Sequence, residues 1–499
     1  MGYDYPVAFF VLRGFRHKGV ARGGGAVVTC ADDAEKRVKG RGSRGSGPGK
    51  AEGPSLGGEI DLGSSTPGPR SLGPMTLDPI AYLDSLKGAG IRPGLGPVRR
   101  LLTRLGNPQG RYRSILVGGT NGKGSIAASL ASVLQAAGYR VGLYTSPHLV
   151  DFRERIRVDG TPIPRGELER LIGRVRGSIR EGVTYFEFAT ALAFVHFARC
   201  AVDVAVLEVG MGGRLDATHV VRPELVIVSN VAMDHVEFLG PRLADIAREK
   251  AGIIEPHRAC VTAARQAPVL AVLEAVCRDR KARLLRVGRE IRVRSRRDGA
   301  LDCRAPSLAL RNVALALRGA HQRDNAACVL GALGVLRERG FAIGDEAIRR
   351  GLAGVRWEGR MEVVRTRPTV VLDGAHNAAG AAALAGALGG FAYRRLTLVL
   401  GILADKDWRG MIRRLAPLAD RVIVTRPPEQ RAQAPEVLAA EARRWNRNVE
   451  IAVHPRQAVR ASLRRAGPDD LVCIAGSLYL VGAVRPLFIA SKGTGPGGR

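Results

Sequence analysis

The stretch Gly119-Thr-Asn-Gly-Lys-Gly-Ser125 lies between the apolar run Ile115-Leu-Val117 and a helix-forming segment at residues 126–136. A strand, a glycine-rich turn and a helix N-terminus, in that order, cradle phosphate. Backbone N–H groups and the positive end of the helix dipole face the anion, and glycine lets the backbone come close. Lys123 adds a compact charge for the β- and γ-phosphates. The string departs from the common GxxxxGK[ST] pattern, because its first glycine is closer and Gly124 separates the lysine from the hydroxyl of Ser125. As a bare string it also reads as a simple turn; strand before and helix after predict a nucleotide site on an α/β fold.

Outward from this turn the chain alternates strand and helix. Residues 202–209 and 225–231 are continuous apolar runs, as parallel strands covered on both faces should be. A second series follows Gly359, at 369–372, 396–400, 421–425 and 470–475, with alanine- and leucine-rich segments between. The reading is an α/β protein: a P-loop-type ATPase domain with a mostly parallel sheet over 75–356, and a smaller Rossmann-like α/β domain over 357–490. A hinge is expected between Trp357 and Glu362. Residues 1–74 hold 17 glycines, 6 prolines and 6 serines and lack the apolar periodicity of a core. They read as a disordered extension, with Met75 as an alternative start, and 491–499 as a disordered tail.

At 499 residues the chain exceeds one ordinary core, and its formal charge is +31. That charge raises nucleic acid as a partner, but the arginines are dispersed, aromatic residues make up only 5%, and no nucleic-acid-binding signature occurs. The basic character therefore reads as a biased surface that also suits an anionic substrate. Of 77 basic residues 67 are arginine and 10 lysine, so a retained lysine hints at chemistry arginine cannot perform. Lys123, Lys250 and Lys406 all fall in motif-like strings. The seven cysteines are scattered without CxxC spacing, which predicts reduced thiols and a cytoplasmic protein. No apolar stretch approaches the ~20 residues needed to cross a bilayer.

Two further strand ends are polar. One run ends in Glu208, followed by glycines and Asp216; the next ends in Asn230-Val-Ala-Met-Asp-His235. Carboxylates and imidazoles at the carboxyl edge of a parallel sheet lie where ligands bind in open α/β folds. Magnesium with nucleotide phosphate needs few protein ligands, so Glu208 and His235 could suffice.

These strings, taken in order with Tyr144-Thr-Ser-Pro-His-Leu149, Arg248-Glu-Lys-Ala-Gly-Ile253, Gly359-Arg360, Asp373-Gly-Ala-His-Asn377 and Gly476-Ser-Leu-Tyr479, resemble bacterial folylpolyglutamate synthase, often also dihydrofolate synthase, of the Mur ligase superfamily. The resemblance spans about Met75 to Ala490. It implies an ATP-dependent amide ligase that adds L-glutamate to tetrahydrofolate or dihydropteroate through an acyl phosphate. It implies ATP contacts at Thr120, Asn121, Gly122, Lys123, Gly124, Ser125, Asn325, Arg360 and Asp373, and magnesium at Ser146, Glu208 and His235. It also implies substrate contacts at Gly94, Leu95, Gly96, Pro97, Thr184, Tyr185, Phe186, Glu187, Leu215, Asp216 and Ala217. Catalytic duty falls to Lys123, His235 and Lys250, the last as a carbamylated lysine. The implied enzyme is a monomer that engages neither nucleic acid nor membrane.

Each assignment has a plainer counterpart. Ser146 before Pro147 could initiate a turn, Tyr185 and Phe186 could be core aromatics, Asn325 could cap a helix at 326–336, and Lys406-Asp407 could be solvated turn charges. The chain also departs from the family at His219, where asparagine is usual, and at Gly94-Leu-Gly-Pro-Val98. Two other functions stay open: a Mur-type ligase acting on a cell-wall precursor, and a basic P-loop protein that binds nucleic acid.

Overall fold

The computed structural model describes residues 78–90, 92 and 94–489; the expected extension at 1–74 and tail at 491–499 lie outside the described residues. The first sheet comprises Arg113–Gly118 (β1), Val141–Tyr144 (β2), Ile156–Val158 (β3), Thr161–Pro162 (β4), Val204–Glu208 (β5), Leu225–Val228 (β6), Ala259–Thr262 (β7) and Arg283–Arg286 (β8). Their order across the sheet is β4-β3-β2-β5-β1-β6-β7-β8. All neighbours from β2 to β8 run parallel, and only β3 and β4 are antiparallel, at one edge. β1 sits between β5 and β6, so the loops leaving the three central strands open at one edge.

Side chains along β1 alternate between two cores. Ile115 and Val117 pack with helix Lys123–Ala136, while Leu116 joins Phe188 and Phe194 on the opposite face. Helix Lys123–Ala136 is buried along most of its length. Ser132 Oγ donates to the carbonyl of Gly351 at 2.8 Å, tying it to helix Asp345–Gly354. Its alanines and serines permit that close packing, and burial on all sides leaves no amphipathic stripe in the sequence.

An antiparallel sheet of Arg292–Ser295 (β9), Leu301–Ala305 (β10) and Leu308–Val313 (β11) was not anticipated. Its signal is nevertheless present: Leu301, Cys303 and Ala305 alternate with Asp302 and Arg304, and the apolar set is buried. Some expected elements differ in length. The run 202–209 forms strand only over Val204–Glu208, with Asp203 N–H bonding Arg140 O at 2.8 Å and Val209 N–H bonding Val117 O at 3.0 Å just beyond its ends. The segment 326–336 belongs to a longer helix, Ala320–Glu338, whose N-cap is Gly319. Asn325 is therefore inside the helix rather than at its cap.

The second domain carries Glu362–Thr366 (β12), Thr369–Leu372 (β13), Leu396–Leu400 (β14), Arg421–Val424 (β15), Val449–Ile451 (β16) and Leu471–Ala475 (β17), ordered β12-β13-β17-β14-β15-β16. Only β12 is antiparallel to its neighbour. Its four central strands are buried on both faces, one core containing Val371, Leu398 and Val422 and the other Val370, Val399 and Ile423, while the edge strands β12 and β16 are partly exposed. Among the described residues no helix is long and apolar enough to cross a membrane, and the six described cysteines are free.

Candidate active site

The phosphate-loop string leaves β1 and enters the buried helix at Lys123. Two glycines have backbones that other residues rarely adopt: Gly119 at φ +126° and Gly122 at φ +83°. A Cβ at Gly119 would strike Ser229, and one at Gly122 would strike the Asn325 amide. The loop is clamped by the end of the neighbouring β6. Thr120 N–H donates to Asn230 O at 2.9 Å, and Asn121 N–H to Asn230 Oδ1 at 3.0 Å. Ser229 Oγ donates to Asn121 O at 2.6 Å, and Ala232 N–H to Thr120 Oγ1 at 3.0 Å. Asn230 was visible in its string but carried no assigned role; only the pairing of β1 with β6 reveals it as the loop's brace.

Two lysines converge on the same turn. Lys123 Nζ donates to the carbonyls of Gly119 at 3.3 Å and Thr120 at 3.1 Å. Lys250 Nζ, buried on helix Leu243–Ala251, donates to Gly119 O at 2.9 Å. Burial, reinforced by the charge of Lys123, pushes the Lys250 amine down to about 7. The reading of Lys250 as surface charge is thereby excluded.

Strand ends supply the remaining groups on this wall. Glu208 closes β5, is buried, and accepts the N–H of Ser146 at 3.0 Å. Desolvation raises its carboxyl above the usual range, opposed by Lys123. His235 sits in the left-handed region at φ 51° and leads into the short helix Val236–Leu239. Burial lowers its imidazole pKa against the pull of Asp234, favouring the neutral ring.

The second domain forms the opposite wall. Asp373, at the end of β13, accepts the N–H groups of Met361 and Ala375, each at 2.9 Å. Arg360 Nη1 bonds Gly359 O at 3.1 Å, and Gly359 O also accepts Gly374 N–H at 2.8 Å. On the first domain, beside the phosphate loop, Asn325 Nδ2 donates to Gln322 Oε1 at 2.9 Å, and Gln322 Nε2 donates to Ser125 Oγ at 3.3 Å. His376 Nδ1–H donates to Gly374 O at 2.8 Å, and burial pushes the imidazole down to about 4. Lys406 is not a solvated turn charge. It is buried and bonds Asp234 Oδ1 at 2.7 Å.

All the implied nucleotide and magnesium positions, with Lys250, Asp234, His376 and Lys406, line one cavity of about 490 Å³. The implied substrate positions do not line it. Glu187 and Thr184 form a capping box on helix Tyr185–Arg199. Phe186 packs on Tyr144, and Tyr185 packs edge-on to Phe152. Asp216 is turned into its own loop, while neighbouring Leu215 is 37% exposed. Gly94 and Leu95 lie in a loop and Gly96 and Pro97 begin helix Gly96–Arg104.

A phosphate loop facing a second α/β domain across one basic cleft defines a two-domain nucleotide-dependent ligase of the Mur type. Residues 117–333 match the Mur ligase middle domain, and 359–478 the Mur ligase glutamate ligase domain. The dihydrofolate synthase/folylpolyglutamate synthase of Bacillus subtilis is 35% identical over 79% of this chain and 95% of its own length. A probable bifunctional folylpolyglutamate synthase/dihydropteroate synthase of Haloferax volcanii is 38% identical over 81% of this chain, which spans half of that longer protein. The solved bifunctional folylpolyglutamate synthase/dihydrofolate synthase of Yersinia pestis, complexed with AMPPNP and Mn ion, is 30% identical. It superposes with a TM-score of 0.75, over 83% of this chain and 98% of the other. The chain belongs to the folylpolyglutamate synthase/dihydrofolate synthase family of Mur ligases.

Proposed function

We propose that this protein is an ATP-dependent ligase that adds L-glutamate to tetrahydrofolate, and also to dihydropteroate, as a monomeric cytoplasmic enzyme. The observation that carries the reading is the shared cleft: the phosphate loop on one wall and Arg360, Asp373 and His376 on the other. A carboxylate is a poor electrophile. Transfer of the γ-phosphate of ATP turns it into an acyl phosphate. The glutamate amine then attacks the carbonyl carbon, and the tetrahedral intermediate expels inorganic phosphate.

In this reading Thr120, Asn121, Gly122, Lys123, Gly124 and Ser125 hold the phosphates, with Lys123 neutralising charge as the phosphoryl group moves. Asn325, Arg360 and Asp373 approach the nucleotide from its far side. The metal donors would be one buried carboxylate, Glu208, one neutral imidazole, His235, and one hydroxyl, Ser146. So small a set fits magnesium, which keeps several waters and binds substrate phosphates. Magnesium, when bound, supplies charge neutralisation to the transferring phosphoryl group. A carbamate on Lys250 would replace an ammonium that repels the metal with an anion that orients its waters. The pterin side is assigned to Gly94, Leu95, Gly96 and Pro97, Thr184, Tyr185, Phe186 and Glu187, and Leu215, Asp216 and Ala217.

The deciding assay is phosphate release from ATP with glutamate plus tetrahydrofolate or dihydropteroate, each in turn, against a cell-wall precursor and against added DNA or RNA. Turnover that depends on both glutamate and a pterin is the expected result. Turnover stimulated only by a cell-wall precursor or by nucleic acid would replace the reading.

A further inference from the structure

Asp234 divides its two carboxylate oxygens among three elements. Oδ1 accepts the ammonium of Lys406 at 2.7 Å and the backbone N–H of His235 at 3.0 Å. Oδ2 accepts the side-chain amide of Asn377 at 3.0 Å. Asn377 in turn exchanges amide bonds with Asn121 of the phosphate loop, Nδ2 to Oδ1 at 3.0 Å and Oδ1 from Nδ2 at 3.2 Å. Lys406 and Asn377 belong to the second domain, Asp234, His235 and Asn121 to the first. The side chains of Lys406 and Asp234 are each only 8% exposed.

A carboxylate this buried is costly without partners, and both side chains that hydrogen-bond it come from across the cleft, with the imidazoles of His235 and His376 at 3.8 and 4.0 Å. Parting the domains would strip Asp234 of Lys406 and Asn377 together. The same event would release Asn121 from Asn377 and leave the left-handed backbone of His235 less constrained.

The identity of the cation matters as much as its charge. An ammonium can satisfy Oδ1 and leave Oδ2 to Asn377. A guanidinium presents a planar fork that takes both oxygens of a carboxylate, and would displace the Asn377 amide from Oδ2. In a chain with 67 arginines and 10 lysines, lysine stands at this position.

We propose that Asp234 and Lys406 form an interdomain latch that holds the phosphate loop and His235 in working position through Asn377, and that the latch requires lysine. The inference rests on the proposed ligase reading of the same cleft. Asp234 and Lys406 are positioning residues here, acting through Asn121 and His235.

The test uses the full chain and the variants Lys406→Arg, Lys406→Met, Asp234→Asn and the double Asp234→Asn/Lys406→Met. Three quantities are measured: kcat and KM for ATP in glutamate-dependent phosphate release, hydrogen exchange at amides 119–125 with and without a non-hydrolysable ATP analogue, and melting temperature. Each single variant should lose about 10–100-fold in kcat, as removal of groups that orient a site typically does. Lys406→Arg should fare no better than Lys406→Met, and the double variant no worse than either single, because one latch is broken once. Exchange across the phosphate loop should quicken in all four. Wild-type kcat and loop exchange in Lys406→Arg would overturn the latch. So would losses that multiply in the double variant, or a lowered melting temperature with kcat and loop exchange unmoved, which a merely structural pair would give. The exchange measurement needs no folate, so a wild-type protein inactive with pterin and glutamate would sink the ligase reading while the latch is still judged.

Discussion

Lys250 Nζ donates to the carbonyl oxygen of Gly119 across 2.9 Å, so a buried amine braces the first turn of the phosphate loop. An N-carbamate retains one N–H, and can keep this bond while turning its new anion toward the cleft. An amine pushed down to about 7 is largely unprotonated at mildly alkaline pH and able to take up CO₂. Arginine cannot. Lys250→Arg and Lys250→Ala are therefore expected to lose about 10–100-fold or more in kcat, and added bicarbonate should rescue neither. Labelled bicarbonate should give a carbamate carbon signal in the wild type that is missing from Lys250→Arg. A fully active Lys250→Arg enzyme would show that a simple cation at this position is enough.

Glu208 makes an opposite exchange, function against stability. Its folded pKa is raised by burial above the unfolded value. Below the unfolded pKa the group is protonated in both states and costs nothing. As pH rises through the folded pKa, the metal-free protein must bury a charge, and stability falls. Glu208→Gln keeps an acceptor for the Ser146 N–H and removes that charge. In chelator at pH 8 the variant should melt about 1–3 °C above wild type, with the gap closing near pH 4, and its turnover with magnesium should be lost. A variant that melts below wild type at pH 8 would mean that the charged carboxylate is stabilising even without metal.

What the sequence discloses, and what it does not, follows from the range of each interaction. The phosphate loop was legible because its chemistry is local: strand, glycines, lysine and helix are consecutive. The parallel strands were legible as apolar runs, although their ends were not, since the pairing of a terminal residue such as Asp203 depends on Arg140, a residue far away in sequence. The sheet of β9 to β11 shows a period-two pattern at 301–305, too short to set it apart from a solvated loop in so arginine-rich a segment. Asn230, Asn377 and Lys406 could not be given partners from one sequence. Their bonds reach 109, 256 and 172 residues along the chain. The retained lysine at 406 was the one hint, and it pointed to chemistry without naming Asp234.

Gly122 offers a local test of how tightly the loop is fitted. Its φ of +83° costs an L residue about 1–2 kcal/mol, and an added Cβ would collide with the Asn325 amide. Displacing Asn325 would also disturb Gln322 and, through it, Ser125. Gly122→Ala should raise the KM for ATP by about tenfold or more, each tenfold being about 1.4 kcal/mol. The fold itself should survive, because the collision is confined to the loop. Initial rates over an ATP titration, with a melting curve alongside, measure both. Wild-type affinity would show that Asn325 yields freely and does not define the nucleotide position.

Leu215 and Asp216 are adjacent, both assigned to the pterin side, and built for different tasks. Asp216 accepts the N–H groups of Gly210 at 3.0 Å, Met211 at 3.1 Å and Thr218 at 3.0 Å, and the Thr218 hydroxyl at 2.6 Å. It is buried and holds its loop together, whereas Leu215 is 37% exposed and bonds nothing that shapes the loop. Asp216→Asn replaces an acceptor-only group by one half of which donates, so some of those N–H groups must lose their partner. Leaving a buried donor unpaired costs about 1–3 kcal/mol, and the melting temperature should fall by several degrees with every substrate affected together. Leu215→Ala should leave the melting temperature within about a degree, since surface truncations seldom exceed about 0.5 kcal/mol, and raise the KM for pterin alone. Separate titrations of ATP, glutamate and each pterin distinguish the two. If instead Asp216→Asn melts like wild type and raises only the pterin KM, its carboxylate is a direct substrate ligand and the loop's order comes from elsewhere.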